Sequence, residues 1–365
     1  MKKLKISALL LVLVLSLTAC GGSGGAAASS APASSGSASA SDAAAYEPAS
    51  YSIAALKGPT AMGLVKLMSD SDERTNAMLS ATAPVTDAAE STDSVLASQN
   101  FYTFSLAASA DEVTPQLIQG ELDMACVPAN LASVLYNKTE GRIVTLAVNT
   151  LGVLYVVENG NAVQSMADLA GKTIVAAGKG STPEYALRYL LSENGLDPDA
   201  DVTIDWKSEH SECVAALASG AATIALLPQP FVTVAQSKLA DLRVALDLTD
   251  EWDKLDNGSA LLTGVIVARR EVAEANPGAV NAFLQDYAAS VDWVNGNTAD
   301  AAALIGNYGI VDAAVAEKAL PACNIVCLTG QEMYNKLSGY LTVLSDQNPA
   351  SVGGALPADD FYFGK

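Results

Sequence analysis

Residues 112–128, EVTPQLIQGELDMACVP, and residues 212–228, ECVAALASGAATIALLP, follow one template. The first carries Glu112, Leu117, Gly120, Ala125 and Pro128; the second carries Glu212, Leu217, Gly220, Ala225 and Pro228 at the same gaps. Each copy reads as a helical run closed by glycine, then a short apolar strand closed by proline. A second echo lies upstream. Gly58-Pro59-Thr60-Ala61 follows the apolar run YSIAALK, and Gly180-Ser181-Thr182-Pro183 follows TIVAAGK. A strand, a tight turn and a helix start thus precede each copy. The pattern predicts a duplicated chain of two similar α/β halves, a clamp whose facing helix ends hold a small ligand.

Working outward, strands and helices alternate. FYTFSLA (101–107), DMACVP (123–128) and RIVTLAVNT (142–150) read as strands, and NLASVLYNK (130–138) as a helix. The last strand runs on through LGVLYVVE. Ser109 to Glu112 and Ser181 to Glu184 read as capping boxes, and Asn194-Gly195 as a helix stop. A helix is expected from Pro59 or Thr60, followed by a partly helical or mobile insertion over residues 69–100, rich in Asp, Ser, Thr and Ala. VTIDWK and TIALLP read as strands, SECVAALASG and FVTVAQSK as helices, LRVALDL (242–248) and LLTGVIVAR (261–269) as strands, and 271–344 as mainly helical. Such alternation signals parallel sheets with helices on their faces.

The start of the chain carries a different message. Lys2, Lys3 and Lys5 precede an apolar stretch at 6–15, the pattern of a signal peptide and too short to span a bilayer. Leu17-Thr18-Ala19-Cys20 with Gly21 resembles a lipobox, which implies cleavage before Cys20 and its lipidation. Residues 21–48 are almost entirely Gly, Ala and Ser and read as a flexible tether, with a reach of roughly 30 Å. The expected division is a signal peptide at 1–19, lipidated cysteine and tether at 20–48, the first part of lobe one at 49–150, lobe two with its hinge strands at 151–260, and the return to lobe one at 261–365.

Composition narrows the partners. A net charge of −20 argues against nucleic acid and anionic lipid surfaces. It also means that local dipoles, not overall charge, must attract any anionic ligand. Beyond Cys20 there are Cys126, Cys213, Cys323 and Cys327. Cys323 and Cys327, read as one strand, stand about 13 Å apart, too far for a disulfide. Mostly free, buried thiols are expected, with three full pairings still open. His210 is the sole histidine, and at a helix start it reads as a surface residue. No metal, cofactor or catalytic residue is therefore implied.

GPTAMGLVKL (58–67), GELDMACVPANLASVLYNK (120–138), LGVLYVV (151–157), GKGSTPEYALRYLL (178–191), LLPQPFVT (226–233), EWDK (251–254) and LPADDFYF (356–363) together resemble the lipid-anchored substrate-binding proteins of ABC importers for nitrate, taurine and aliphatic sulfonates. That resemblance implies the type II periplasmic-binding fold, two α/β lobes joined by crossover strands near 148–156 and 257–265. It implies a small anionic or polar organic solute, a permease and its ATPase as partners, and a monomer held outside the bacterial cell membrane by its lipid alone. Ligands of such sheets bind beyond the carboxyl ends of the strands, where helix N-termini present free amides. The candidate ligand residues are Gly58, Pro59, Thr60, Ala61 and Met62 in one lobe and Gly180, Ser181 and Thr182 in the other. Pro128, Asn130 and Gln229 stand at the matched corners and Thr150 at the hinge. Asn130 reads equally as a helix cap, Gln229 as solvent-facing, Tyr155 as core and Lys179 as a solvated loop residue. Two rivals remain: an enzyme on the same fold, akin to menaquinone- or thiamine-pathway enzymes, and a ligand-binding surface sensor without a transporter.

Overall fold

The computed structural model describes residues 46–80 and 93–365, and the signal-peptide, lipidation and most of the tether assignments lie outside them. The chain runs β1 (Ser50–Leu56), α1 (Pro59–Met62), α2 (Val65–Ser80), β2 (Phe101–Ala107), α3 (Ala110–Gln119), β3 (Met124–Pro128), α4 (Ala129–Lys138) and β4 (Ile143–Leu151). It continues as β5 (Leu154–Glu158), β6 (Thr173–Ala177), α5 (Thr182–Glu193), β7 (Thr203–Lys207), α6 (His210–Ala218), β8 (Ile224–Pro228), α7 (Phe231–Lys238), β9 (Arg243–Asp247) and α8 (Leu248–Asp253). It closes with β10 (Leu262–Arg269), α9 (Arg270–Ala275), α10 (Pro277–Gly296), α11 (Thr298–Asn307), α12 (Ala313–Ala319), β11 (Ile325–Leu328) and α13 (Gly330–Gln347).

Two sheets result. The first has the order β2-β1-β3-β10-β4-β11 and the second β7-β6-β8-β5-β9. The first five strands of one match the five of the other, place for place. In each, β1 or β6 pairs in parallel with both neighbours, and one reversed strand, β10 or β5, enters beside the proline-ended strand. That reversed strand is in each case delivered by the other lobe: β5 continues β4, and β10 follows β9. The duplicated template therefore sits at equivalent places, as α3–β3 and as α6–β8. Both copies open with a glutamate cap: Glu112 Oε1 accepts from Ser109 N at 3.2 Å, and Glu212 Oε2 from Ser208 N at 2.8 Å.

The lobes are packed together along both flanks of the crossover. On one flank α13 lies against α5, and on the other α12 lies against α7. Trp252 in α8 is fully buried between Tyr189 and Tyr340, with ring centroids 4.8 and 5.8 Å away. Its indole N–H donates to Ser259 Oγ at 2.9 Å. One buried apolar cluster thus runs from Leu117 and Leu135 in the first lobe through Leu337 and Tyr340 to Leu187 and Trp252 in the second.

Several local expectations are corrected. The helix expected from Pro59 is broken into α1 and α2, because the turn at Gly63 is pressed against Ile325 and Tyr287; a Cβ there would lie 2.8 Å from each. The stretch at 69–100 is helical through Ser80, in keeping with the partly helical reading, and 93–100 carries no helix or strand; 81–92 lies outside the described residues. Strand 242–248 ends at Asp247, whose carboxylate accepts from Thr249 N at 2.8 Å and starts α8, so EWDK lies on that helix and its C-cap. Cys323 precedes β11 rather than sharing it with Cys327. All four described cysteines are free thiols, and burial pushes the Cys126 and Cys323 thiols up to about 12.

His210 also departs from expectation. It begins α6 as expected but is largely buried, 5.2 Å from the Phe231 ring, and its Nδ1 has no hydrogen-bond partner. Burial lowers its pKa to about 4, against 6.5 for a free imidazole. As pH falls below 6.5 the unfolded chain takes up the proton first, so stability is lost between 6.5 and 4 and levels off below. The full difference amounts to about 3 kcal/mol at most. Urea unfolding of wild type and His210→Phe across that window is expected to show a shallower pH dependence in the variant. Equal slopes in both proteins would mean that the native imidazole charges freely.

Candidate functional site

The crossover strands bring the carboxyl ends of both sheets to one place. Pro128 at the end of β3 is paired with Gly264, and Gly264 in turn with Thr150. Pro228 at the end of β8 is paired with Leu154. Thr150 and Leu154 are four residues apart, so these two anchor points lie no more than about 14 Å from each other. Gln229 N donates to Val153 O at 3.0 Å, which ties the second lobe's corner directly to the hinge.

On the first lobe, Gly58 adopts φ 139°, a conformation that favours glycine, and turns the chain from β1 into α1. Pro59 occupies the first turn. Thr60 Oγ1 donates back to Leu56 O at 3.0 Å, and Thr60 O accepts from Asn149 Nδ2 at 3.2 Å. Ala61 N donates to Gly58 O at 3.1 Å. The side chains of Ala61 and Met62 are fully buried in the lobe's core, so only backbone atoms of these two are available to a ligand. Thr150 Oγ1 donates to Asn149 Oδ1 at 3.1 Å. Gly264 completes the cluster: a Cβ there would stand 2.5 Å from both Asn149 Oδ1 and Thr60 Cγ2.

The matched corners behave differently from each other. Asn130 Nδ2 donates to Ser351 O at 3.2 Å, while its Oδ1 is buried without a partner. It makes no side-chain cap to α4. Gln229 does not face solvent; its Oε1 accepts from Thr233 Oγ1 at 2.9 Å and Thr233 N at 3.4 Å, within the first turn of α7. Tyr155 belongs to the core, and its hydroxyl donates to Ala322 O at 3.0 Å across the lobes. Lys179 is exposed.

The second helix end is not the row of free amides that its sequence suggests. Gly180 N donates to Glu184 Oε2 at 2.7 Å, one residue earlier than the expected capping box. Ser181 N and Ser181 Oγ both donate to Gly178 O, at 3.2 and 2.7 Å. Thr182 Oγ1 shares a 2.9 Å hydrogen bond with the hydroxyl of fully buried Tyr340, from α13 of the other lobe. Burial raises the Tyr340 pKa far above the working range, so this phenol stays protonated.

Sequence reading missed Asn149, Gly264 and Tyr340, which frame the hinge, and Thr249 and Thr263, whose buried hydroxyls have no partner. Asn149 and Thr263 adjoin quoted positions in strands that read as ordinary core. Tyr340 lies on the polar-apolar pattern of a long helix, with nothing local to mark it. Among the described residues no group of three or more His, Cys, Asp or Glu side chains is placed to hold a metal ion.

Residues 102–319 match the family model of the phosphonate periplasmic substrate-binding proteins of ABC transporters. The chain belongs to this family. A search of curated proteins returns no match. Among solved structures, an ABC transporter protein from Parabacteroides distasonis is similar at 22% identity and TM-score 0.66, over 86% of this chain and 98% of that one. The periplasmic aliphatic sulphonate binding protein SsuA of Escherichia coli is similar at 16% identity and TM-score 0.65, over 86% and 96%. The alkanesulfonate-binding SsuA of Xanthomonas axonopodis pv. citri, bound to MOPS, is similar at 17% identity and TM-score 0.59, over 86% and 96%. The fold of this substrate-binding protein is accordingly the type II periplasmic-binding architecture, and the family's role is solute capture for an ABC importer. No helix among the described residues is long and apolar enough to cross a membrane.

Proposed function

We propose that this chain captures a small polar organic solute between its lobes, at the crossover cluster of Thr60, Asn149, Thr150 and Gly264, and presents it to an ABC permease. The observation that carries this reading is the convergence of Pro128 and Pro228, the ends of duplicated strands: Pro228 pairs with Leu154, and Pro128 reaches Thr150, four residues earlier in the same crossover, through Gly264. Gly58, Pro59 and the backbone of Ala61 and Met62 contribute from one lobe, and Gly180, Ser181 and Thr182 from the other. Asn130 adds an unpaired carbonyl oxygen, and Gln229 holds α7 in position. The protein binds and releases its solute as a monomer without covalent chemistry or a cofactor. Cys20 carries the lipid, and the Gly/Ala/Ser segment after it spaces the lobes from the outer face of the membrane.

Because solute binds only the folded state, it stabilises by mass action. A hundredfold excess over Kd contributes about 2.7 kcal/mol, which for this length corresponds to a Tm rise of about 4 °C. Native mass spectrometry of the purified protein is expected to show a carried-over solute, whose re-addition to stripped protein produces that rise. Stripped protein whose Tm responds to no solute, and native spectra free of added mass, would remove the reading. Turnover of a metabolite would replace it with an enzyme.

A further inference from the structure

This inference rests on the proposed site and concerns which part of the solute it reads. β1 and β3 are neighbours in the first sheet, yet the helices that follow them lie on opposite faces. α2 packs through Val65, Leu67 and Met68 on the side of Met124 and Cys126, whereas α4 packs through Ala132 and Leu135 on the side of Ala125 and Val127. The strand ends therefore part into a crevice, the place where sheets of this kind take their ligands. The Thr60 turn stands on one side of it and Asn130, in the first turn of α4, on the other.

Asn130 is 6% exposed, and its hydrogen bond fixes which way the amide points. Ser351 O can only accept, so the atom facing it at 3.2 Å is Nδ2, and Oδ1 is left buried with no partner. A buried acceptor in that condition costs stability until something donates to it. Thr263 Oγ1 is in the same condition. Thr263 directly precedes Gly264, the partner of Pro128, and Asn130 comes two residues after Pro128, so both side chains leave one pair of strand ends. Thr263 is also the extra residue of a β-bulge, because the successive residues Thr150 and Leu151 on β4 pair with Gly264 and Leu262 on β10. Bulges re-aim a side chain and recur beside functional sites. The other unpartnered atoms of this sheet, Tyr51 OH and Thr145 Oγ1, lie toward the amino ends of β1 and β4, away from the crevice.

We infer that Asn130 and Thr263 form a donor-reading subsite. The solute places an N–H or O–H group against Asn130 Oδ1, with the Thr263 hydroxyl as a second contact, and these two residues choose among solutes that share one head group. Nothing in the subsite sets the charge of that head group.

The test is calorimetric titration of the full chain with two matched pairs: ethylphosphonate against 2-aminoethylphosphonate, and ethanesulfonate against 2-hydroxyethanesulfonate. Each pair differs by one donor group. In wild type the donor-bearing member is expected to bind at least about tenfold more tightly, the equivalent of about 1.4 kcal/mol. Asn130→Ala and Thr263→Val are each expected to cut that ratio to less than about threefold. The ratio is internal to each variant, so a loss of folding, which weakens both members alike, leaves it unchanged. Thr263→Val keeps the shape of the side chain and removes an unpartnered hydroxyl, so urea unfolding of the ligand-free variant should match or exceed wild type. Equal affinity within both pairs in wild type, or a ratio that survives both substitutions, would overturn the inference and leave solute capture intact. So would a carried-over solute without an N–H or O–H group. If none of the four compounds binds, a carried-over solute that has such a group and loses at least about tenfold in affinity in Thr263→Val supports the inference; one held equally by both proteins overturns it. Absence of any binding and of any Tm rise would instead remove the site reading, and the inference with it.

Discussion

Asp286→Ala is expected to destabilise the protein by about 3–5 kcal/mol, the largest single loss foreseen outside the apolar core. Asp286 is fully buried in α10, yet its carboxylate organises a segment almost two hundred residues earlier in the chain. Ala97 N and Ser98 N donate to Oδ1 at 2.9 and 3.0 Å, and Tyr102 OH donates to Oδ2 at 2.7 Å, beside Ser98 Oγ. Burial first, and then the neighbouring Asp286, pushes the Tyr102 pKa far above its ordinary value, so the phenol keeps the proton that it donates. Alanine removes the shared acceptor of four donors; the Ser98 and Tyr102 hydroxyls keep their mutual 3.0 Å bond, and each group left orphaned costs on the order of 1–3 kcal/mol before water or relaxation offsets it. Asn in this place keeps an acceptor for the two amides, and the hydroxyls reverse to meet its N–H, so Asp286→Asn should lose less than half as much. Urea unfolding of both variants reads this order. Equal losses, or a loss below 1 kcal/mol for alanine, would show that solvent reaches the cluster.

The same contrast between local and distant partners explains what was legible. The repeated template, both glutamate caps, the glycine turns and the alternation of strands with helices depend on neighbours a few residues apart, so the α/β halves and their strand ends could be read directly. EVTPQLIQG needs only its own glycine and capping glutamate to be recognised as a helix. Thr60 and Gly180 are placed at strand ends by the same local logic. What packs around these turns is a different matter. Asn149 and Gly264 reach Thr60, and Tyr340 reaches Thr182, from 89 or more positions away, and strand or helix periodicity assigns those three to structure alone. His210 shows the same limit: a polar residue at a helix start reads as solvated, and Phe231 on the following helix covers it. Glu184 was legible as a cap. That its cap falls on Gly180 N, where a ligand was expected, depends on the positive φ of 79° at that glycine.

Gly264→Ala tests whether the crossover cluster is a single packed unit. The added methyl would stand 2.5 Å from Asn149 Oδ1 and from Thr60 Cγ2, distances that Cβ atoms essentially never adopt, so something must move. Neither neighbour is the loose end of a long side chain. Asn149 is fully buried and bonded to Thr60 O, and Thr60 is fixed to Leu56 O. Overpacking of this kind costs about 1–3 kcal/mol. Because the groups displaced include the proposed solute contacts, affinity for the carried-over solute should fall at least about tenfold, the equivalent of a 1.4 kcal/mol loss. Gly296→Ala is the matched control. It closes α10 with nothing within 4 Å of the added carbon, and alanine is the better helix former, so stability should hold or rise slightly. Gly152, between β4 and β5 in the other crossover, extends the argument, since a Cβ there would collide with Thr249 Oγ1 and stand 3.0 Å from Leu261 Cδ2. Full affinity in Gly264→Ala, together with reduced stability, would place the solute away from Thr60 and Asn149 and confine the cluster to holding the hinge.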